Sequence, residues 1–118
     1  MSLLFRRALM TRSISSREWT SSVSFRVEIR VLSPISFAED TELYLLNMSP
    51  GAVLESEAHS PGCMEILAVA SGSFRVTAGK RSTVLEKGDV LTYQCDVPHR
   101  IENVAESPSQ LYMTVKFA

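Results

Sequence analysis

The sequence predicts an all-β fold, either a sandwich or a closed barrel of antiparallel strands. Residues 24–31 (SFRVEIRV) and 111–117 (LYMTVKF) alternate apolar and polar side chains with the period of a strand. Between them, short apolar runs recur about every ten residues and are separated by turns rich in Gly and Pro. No segment after Trp19 carries a helical apolar stripe. Together these observations favour an antiparallel sandwich or barrel.

Turn residues divide this region into nine predicted strands. The chain is punctuated by Ser-Pro-Gly at residues 49–51 and 60–62, and by Gly72, Gly79 and Gly88. A glycine such as Gly79 can adopt the positive φ that closes a hairpin. In chain order, the predicted strands are residues 24–31, 43–48, 53–59, 64–70, 73–77, 82–85, 90–93, 98–104 and 111–117.

The composition favours one domain that binds neither nucleic acid nor membrane. A chain of 118 residues with 45% hydrophobic side chains can bury the core of a single domain. Lys and Arg total 12 against 13 Asp and Glu, so the basic surplus of a nucleic-acid-binding face is missing. No apolar run approaches the roughly 20 residues that cross a bilayer, which predicts a soluble protein.

The two cysteines, Cys63 and Cys95, predict neither a disulfide framework nor a structural zinc site, because they lie in no CxxC or CxxH spacing. We expect free, buried thiols. A redox-sensing or soft-ligand role is the alternative. Free thiols predict a reducing, cytoplasmic compartment.

The N-terminal segment differs in composition from the rest of the chain. Residues 1–17 contain four arginines, several serines and no acid, which is typical of a mitochondrial transit peptide. The alternatives are a linker or helix that follows a preceding domain, and an engineered start. We favour the linker and divide the chain into an N-terminal segment or linker, residues 1–22, and a barrel domain, residues 23–118.

Two motifs carry the chemistry. The first is Gly51-AVLESEA-His59-SPGCM-Glu65-ILAVAS-Gly72, and the second is Gly88-DVLTYQCDVP-His99-RIE-Asn103. They resemble the two motifs of the cupin family: Gly, five residues, His-x-His, three or four residues, Glu, six residues, Gly; and Gly, five residues, Pro-x-Gly, two residues, His, three residues, Asn. The resemblance implies a double-stranded β-helix, the cupin or jelly-roll β-barrel, over most of the chain.

The match to the cupin motifs is partial, and the first motif keeps the glutamate, the six-residue gap and the closing glycine. His59 falls at the place of the family's first histidine and Pro61 at that of the second. In the second motif every spacing is kept, but Gln94 and Asp96 replace the proline and the glycine.

The resemblance implies a site at His59, Glu65 and His99. Two imidazoles and a carboxylate form the facial triad that holds one divalent metal ion, Zn, Fe, Mn or Ni. Glu57 or Gln94 would supply a further ligand oxygen, and Tyr93 would form either pocket wall or core. The alternative for His99 is a structural histidine that hydrogen-bonds a loop carbonyl.

A narrower resemblance links the chain to the C-terminal cupin domains of XRE-type helix-turn-helix regulators, through Gly-Asp-Val at 88–90 and Asp-Val-Pro-His at 96–99. It implies a small-molecule-sensing domain whose DNA-binding half is absent from this chain, since residues 1–24 are too short for a helix-turn-helix. The alternatives are a stand-alone metal-dependent dioxygenase or isomerase and a purely structural cupin. We also predict a homodimer, with the strand at residues 24–31 as the contact edge.

Overall fold

The computed structural model describes residues 11–15, 26–34 and 40–117, which form strands, turns and loops. The described residues contain no helix, so none that is long and apolar enough to span a membrane. All nine predicted strands are present, and the all-β fold is confirmed. The strands are β1 (Thr11–Ser15), β2 (Arg26–Val31), β3 (Thr41–Met48), β4 (Val53–Ser56), β5 (Met64–Ser71), β6 (Ser73–Ala78), β7 (Arg81–Glu86), β8 (Val90–Gln94), β9 (His99–Asn103) and β10 (Ser109–Lys116).

Strand β1 lies in the segment that the sequence analysis assigned to residues 1–22, and it pairs with β2. The weak apolar pattern of TRSIS gave no signal for it. The interpretations of residues 1–10 and 16–25 as a transit peptide or linker fall outside the described residues, and the domain boundary stays a prediction.

The strands form two antiparallel sheets. The larger has the order β1-β2-β3-β10-β5-β8, and the smaller has the order β4-β9-β6-β7. Strand β10 lies between β3 and β5, with which it makes long ladders. This arrangement is that of a double-stranded β-helix, with β8 and β7 at neighbouring edges of the two sheets.

The core lies between the sheets because alternate side chains of each strand point inward. In β3 and β10 the alternation of buried and partly exposed residues is strict. The inward positions carry large apolar side chains, among them Tyr44, Leu46, Phe74, Leu67, Ile101 and Leu111. Two inward positions carry carboxylates, Glu42 and Glu65, which lie in one row on either side of Val115.

Strand β2 has both of its backbone edges occupied within the chain, by β1 and by β3. It therefore offers no free edge for the dimer contact that the sequence analysis proposed, and that part of the prediction is wrong. The homodimer itself stays a prediction.

The structure joins Cys63 and Cys95 in a disulfide, so the expectation of free thiols is wrong. Met64 pairs with Gln94 at the end of the β5–β8 ladder, which places the next residue of each strand opposite the other. The two Cα atoms are 5.4 Å apart, and the Cys95 N–H donates to the Cys63 carbonyl at 3.0 Å. The two cysteines are 32 residues apart in the sequence, and the register of the β5–β8 ladder brings them together. Their spacing in the sequence does not reveal this pairing. Disulfides persist in oxidising compartments, so the cysteines no longer support a cytoplasmic location, which stays a prediction.

Reducing this disulfide is expected to lower the free energy of unfolding by about 3 to 4 kcal/mol, because the crosslink restricts a loop of this length in the unfolded chain. Urea denaturation with and without dithiothreitol measures the difference. The Cys63→Ala/Cys95→Ala double variant is the control and should not respond to dithiothreitol. Equal stability of the oxidised and reduced wild type would contradict a native disulfide.

Gly72 lies between β5 and β6, at a point where the chain packs closely against Ser109. It has φ of +78°, and a Cβ atom there would overlap the Oγ and Cβ atoms of Ser109. Gly88 has φ of +90° but nothing within 4 Å of the same position. Both Gly→Ala changes should cost about 1 to 2 kcal/mol of backbone strain, and Gly72→Ala should cost about 1 to 3 kcal/mol more for overpacking. Urea denaturation measures both variants, and equal losses would show that Ser109 does not lie against Gly72.

Candidate metal centre

Three ionisable side chains from separate parts of the chain meet inside the barrel: His59, Glu65 and His99. The Nε2 atoms of His59 and His99 lie 3.4 and 3.1 Å from Oε2 of Glu65. The candidate ligand atoms all lie within 4.8 Å of one another. Their side chains are only 6%, 2% and 2% exposed for His59, Glu65 and His99. The convergence of two distant imidazoles on one buried carboxylate forms a compact polar site in an apolar core.

The backbone explains how each of the three residues reaches this point. Glu65 is the second residue of β5 and points inward by strand alternation. His99 is the first residue of β9, which belongs to the opposite sheet. His59 lies in the loop after β4, where its N–H donates to the Cys95 carbonyl at 2.8 Å. The disulfide-bonded residue thus positions the segment that carries His59.

Tyr93 completes the surroundings of the carboxylate. It pairs with Glu65 across the β5–β8 ladder, and its hydroxyl donates to Oε1 of Glu65. Its ring packs edge-on against His99, with centroids 5.8 Å apart. Burial, and then the charge of Glu65, raises the pKa of Tyr93, so the hydroxyl stays protonated as a donor. One oxygen of Glu65 is therefore held by the phenol, and the other faces both imidazoles.

His99 has the orientation of a metal-ligating histidine. Its Nδ1 lies 2.8 Å from the Val97 carbonyl, which can only accept, so Nδ1 carries the hydrogen. In the neutral ring Nε2 then presents a lone pair toward Glu65 Oε2. A histidine that donates one N–H to a backbone carbonyl and offers its other nitrogen is the usual arrangement at protein metal sites. The structural alternative of the sequence analysis, a loop-carbonyl hydrogen bond, is thus compatible with a ligand role.

The two imidazoles differ in their pKa. Burial acts to lower the pKa of His99, but its hydrogen bonds to Glu65 and Val97 and the Glu65 charge outweigh burial and raise it. Burial lowers the pKa of His59, and Glu65 only partly opposes this effect. Without a metal, His99 is therefore the ring that holds a proton next to the carboxylate.

The donor set fits a divalent metal ion. Two imidazole nitrogens and one carboxylate oxygen match the facial triad and leave coordination positions open for a ligand. His59, Glu65 and His99 would hold the ion, and Tyr93 and the Val97 carbonyl would orient Glu65 and His99. Among the described residues no other group of His, Cys, Asp or Glu has this closeness.

The other two sequence candidates, Glu57 and Gln94, are not members of this group, although Gln94 lines the same pocket as Tyr93. Glu57 is exposed in the loop after β4, and Gln94 is exposed on β8, where it alternates with the inward Tyr93. Their ligand-binding roles stay predictions. Asn103, the last residue of the second motif, is buried and donates to the carbonyls of Met48 and Ser107 at 2.9 and 3.0 Å. This asparagine therefore ties loops together at a distance from the three site residues.

A pocket of about 830 Å³ adjoins the site. It lies between the β6–β7 hairpin and β8, and Tyr93 forms part of its wall. Because the Tyr93 hydroxyl contacts Glu65, the same residue borders both the pocket and the three-residue cluster. A small molecule in this pocket would therefore contact Tyr93, which in turn contacts Glu65, although none of the three candidate ligands lines the pocket itself.

A double-stranded β-helix with inward histidine and glutamate side chains belongs to the class of small, closed β-folds whose interior is filled by alternate side chains of each strand. The family model described as "Cupin domain" matches residues 44–115, and the chain belongs to the cupin family. None of the curated proteins matches this chain significantly.

Solved structures share the fold at low sequence identity. The cupin domain of an XRE family transcriptional regulator from Enterobacter cloacae aligns with a TM-score of 0.72 at 21% identity, over 78% of this chain and 97% of that one. An HTH_3 family transcriptional regulator from Vibrio cholerae has the same TM-score and identity, but the aligned region covers only 51% of that chain. A predicted oxalate decarboxylase from Thermotoga maritima aligns with a TM-score of 0.75 at 16% identity, over 95% and 97% of the two chains.

The pKa directions predict the order in which the two histidines titrate in metal-free protein. His99 should titrate above the ordinary value of 6.5 and His59 below it. His99 then stabilises the fold below about pH 6.5, and this contribution is lost as the pH rises through its folded pKa. His59 contributes to the stability of the fold above about pH 6.5, and this contribution is lost on acidification.

NMR titration of the two imidazole rings after EDTA treatment measures both values, and the His59→Gln variant assigns the signals. The reverse order would show that Glu65 is paired with His59 instead of His99.

Proposed function

We propose that this cupin domain binds a small molecule in the pocket beside Tyr93, with one divalent metal ion at His59, Glu65 and His99, and that it is the sensing part of a transcription regulator. The observation that carries the proposal is the contact of Tyr93 with both the pocket and Glu65. Because of this contact, a molecule bound in the pocket would affect the buried polar cluster through Tyr93.

The metal would supply an electrophilic centre for an oxygen or nitrogen of the ligand. His59, Glu65 and His99 hold it, and Tyr93 keeps the Glu65 carboxylate in one orientation. Zn, Fe, Mn and Ni all accept this donor set. The apolar walls of the pocket exclude water from the ligand's body.

The sensing role is supported by the regulators among the structural neighbours. The Enterobacter domain is named as part of an XRE family regulator, and the Vibrio protein, about half of which aligns, as an HTH_3 family regulator. By analogy, this domain would work with a DNA-binding domain. We keep the homodimer and the cytoplasmic location as predictions from the sequence. The Cys63–Cys95 disulfide would then be subject to reduction there.

A metal-dependent dioxygenase or isomerase is the second candidate. Three protein ligands leave positions at which a metal could polarise a substrate oxygen. The Thermotoga structure, described as a predicted oxalate decarboxylase, covers nearly the whole chain. Sensing and catalysis differ in the fate of the bound molecule, which mass spectrometry identifies: a sensor releases it unchanged, and an enzyme converts it.

Two Glu→Gln variants test the metal centre. Glu65→Gln removes the buried carboxylate of the cluster, whereas Glu57→Gln removes an exposed carboxylate nearby. Titration calorimetry of EDTA-treated protein with Zn²⁺ and Mn²⁺ should show a loss of affinity of about a hundredfold or more for Glu65→Gln. Glu57→Gln should lose less affinity than Glu65→Gln, because Glu57 would add at most one oxygen to a site that three buried ligands already form.

Circular dichroism and thermal melting establish that both variants are folded. Wild-type protein that binds neither ion, or a Glu57→Gln loss equal to that of Glu65→Gln, would overturn the metal centre.

A further inference from the structure

The pocket beside the metal centre has a charged rim as well as apolar walls. The walls are formed by Val76, Leu91, Val97 and the ring of Tyr93. Lys80 and Arg81, at the tip of the β6–β7 hairpin, also line it. Among the described residues around the pocket none is acidic, so its formal charge is positive.

The sheet register places Arg81 in line with the metal centre. Ala78 on β6 pairs with His99 on one side and with Arg81 on the other. Cross-strand partners point to the same face of a sheet, so Arg81 projects from the face that carries His99. Two strand spacings separate these residues, which is about 10 Å. Arg81 and Tyr93 both line the pocket, so Arg81 shares this space with the residue whose hydroxyl contacts Glu65.

On the opposite face of the same sheet, the arginines are paired with a carboxylate. Arg75 and Arg100 lie 3.7 and 3.6 Å from the carboxylate of Glu102, which pairs with both. Within the part of the chain that the structure describes, Lys80 and Arg81 have no such partner. Unpaired cations at an apolar pocket create a potential that attracts an anion.

We propose that the ligand of this pocket is a small organic acid with an apolar body. Its carboxylate binds the Arg81 guanidinium, which matches a planar carboxylate with two parallel hydrogen bonds. The body packs between Val76 and Leu91, and the far end faces Tyr93 and the metal centre. This inference rests on the proposed function, because it specifies the small molecule that the domain binds.

Matched Arg→Gln variants test the assignment. Arg81→Gln removes the charge at the pocket, and Arg75→Gln removes a charge from the outer face of the same sheet. The probes are benzoate, its uncharged isostere benzamide, and inorganic phosphate, which lacks an apolar body. Titration calorimetry at low salt measures each affinity on the metal-loaded full chain.

Benzoate should bind the wild type more tightly than either benzamide or phosphate. Arg81→Gln should weaken benzoate by about tenfold, the value of one charge-assisted pair at a partly exposed site, and leave benzamide unchanged. Arg75→Gln should change neither. Wild-type protein that ignores benzoate at millimolar concentration, benzamide or phosphate binding as tight as benzoate, or an equal effect of both arginine variants would overturn the proposal.

Failure of this inference can be told from failure of the proposed function. If Glu65→Gln abolishes benzoate binding and Arg81→Gln does not, the acid sits on the metal, so the binding site stands and the role of Arg81 is wrong. If Arg81→Gln weakens benzoate but the wild type binds no metal, the anion pocket stands and the metal centre is wrong.

Discussion

The buried carboxylate of Glu65 is the constraint on which the site depends. A carboxylate taken out of water costs several kcal/mol unless charged or hydrogen-bonding partners surround it. Here the partners come from both sheets: the Tyr93 hydroxyl from the neighbouring strand, His99 from the opposite sheet, and His59 from a loop. Because each contributes to solvating one charge, each partner favours the arrangement in which the sheets close over this point. The site and the closure of the barrel are therefore coupled.

The same region is reinforced by a covalent link. The Cys63–Cys95 disulfide crosslinks the ends of β5 and β8 just beyond Glu65 and Tyr93, and the Cys95 carbonyl accepts the His59 N–H. On the other side, the β6–β7 hairpin brings Arg81 into the row of His99. The cationic rim at Arg81 and the phenol of Tyr93, which contacts Glu65, thus both line one pocket. A pocket with a cationic side and a neutral, phenolic side suits a ligand with two chemically different ends.

Sequence reasoning succeeded where the signal was local. Alternation at residues 24–31 and 111–117 predicted strands that the structure contains, and the spacing of Glu65 and His99 in two motifs predicted residues that do meet. It was wrong where pairing partners decide the outcome. The free edge assigned to residues 24–31 is covered by β1, and the two cysteines expected to be free are bonded. Both errors concern which strands become neighbours in the folded sheets. Strand pairing and register bring together residues that are far apart in the sequence.

The sequence by itself determined the strands, the turns and the identity of three candidate ligands, because side-chain alternation and motif spacing are written in consecutive residues. Tertiary structure alone decided that Tyr93 holds Glu65, that the Val97 carbonyl orients His99, and that Arg81 shares the face of His99. The physical reason is that a one-residue change of register turns a whole strand over. Which polar groups face one cavity is therefore known only after the sheets have paired.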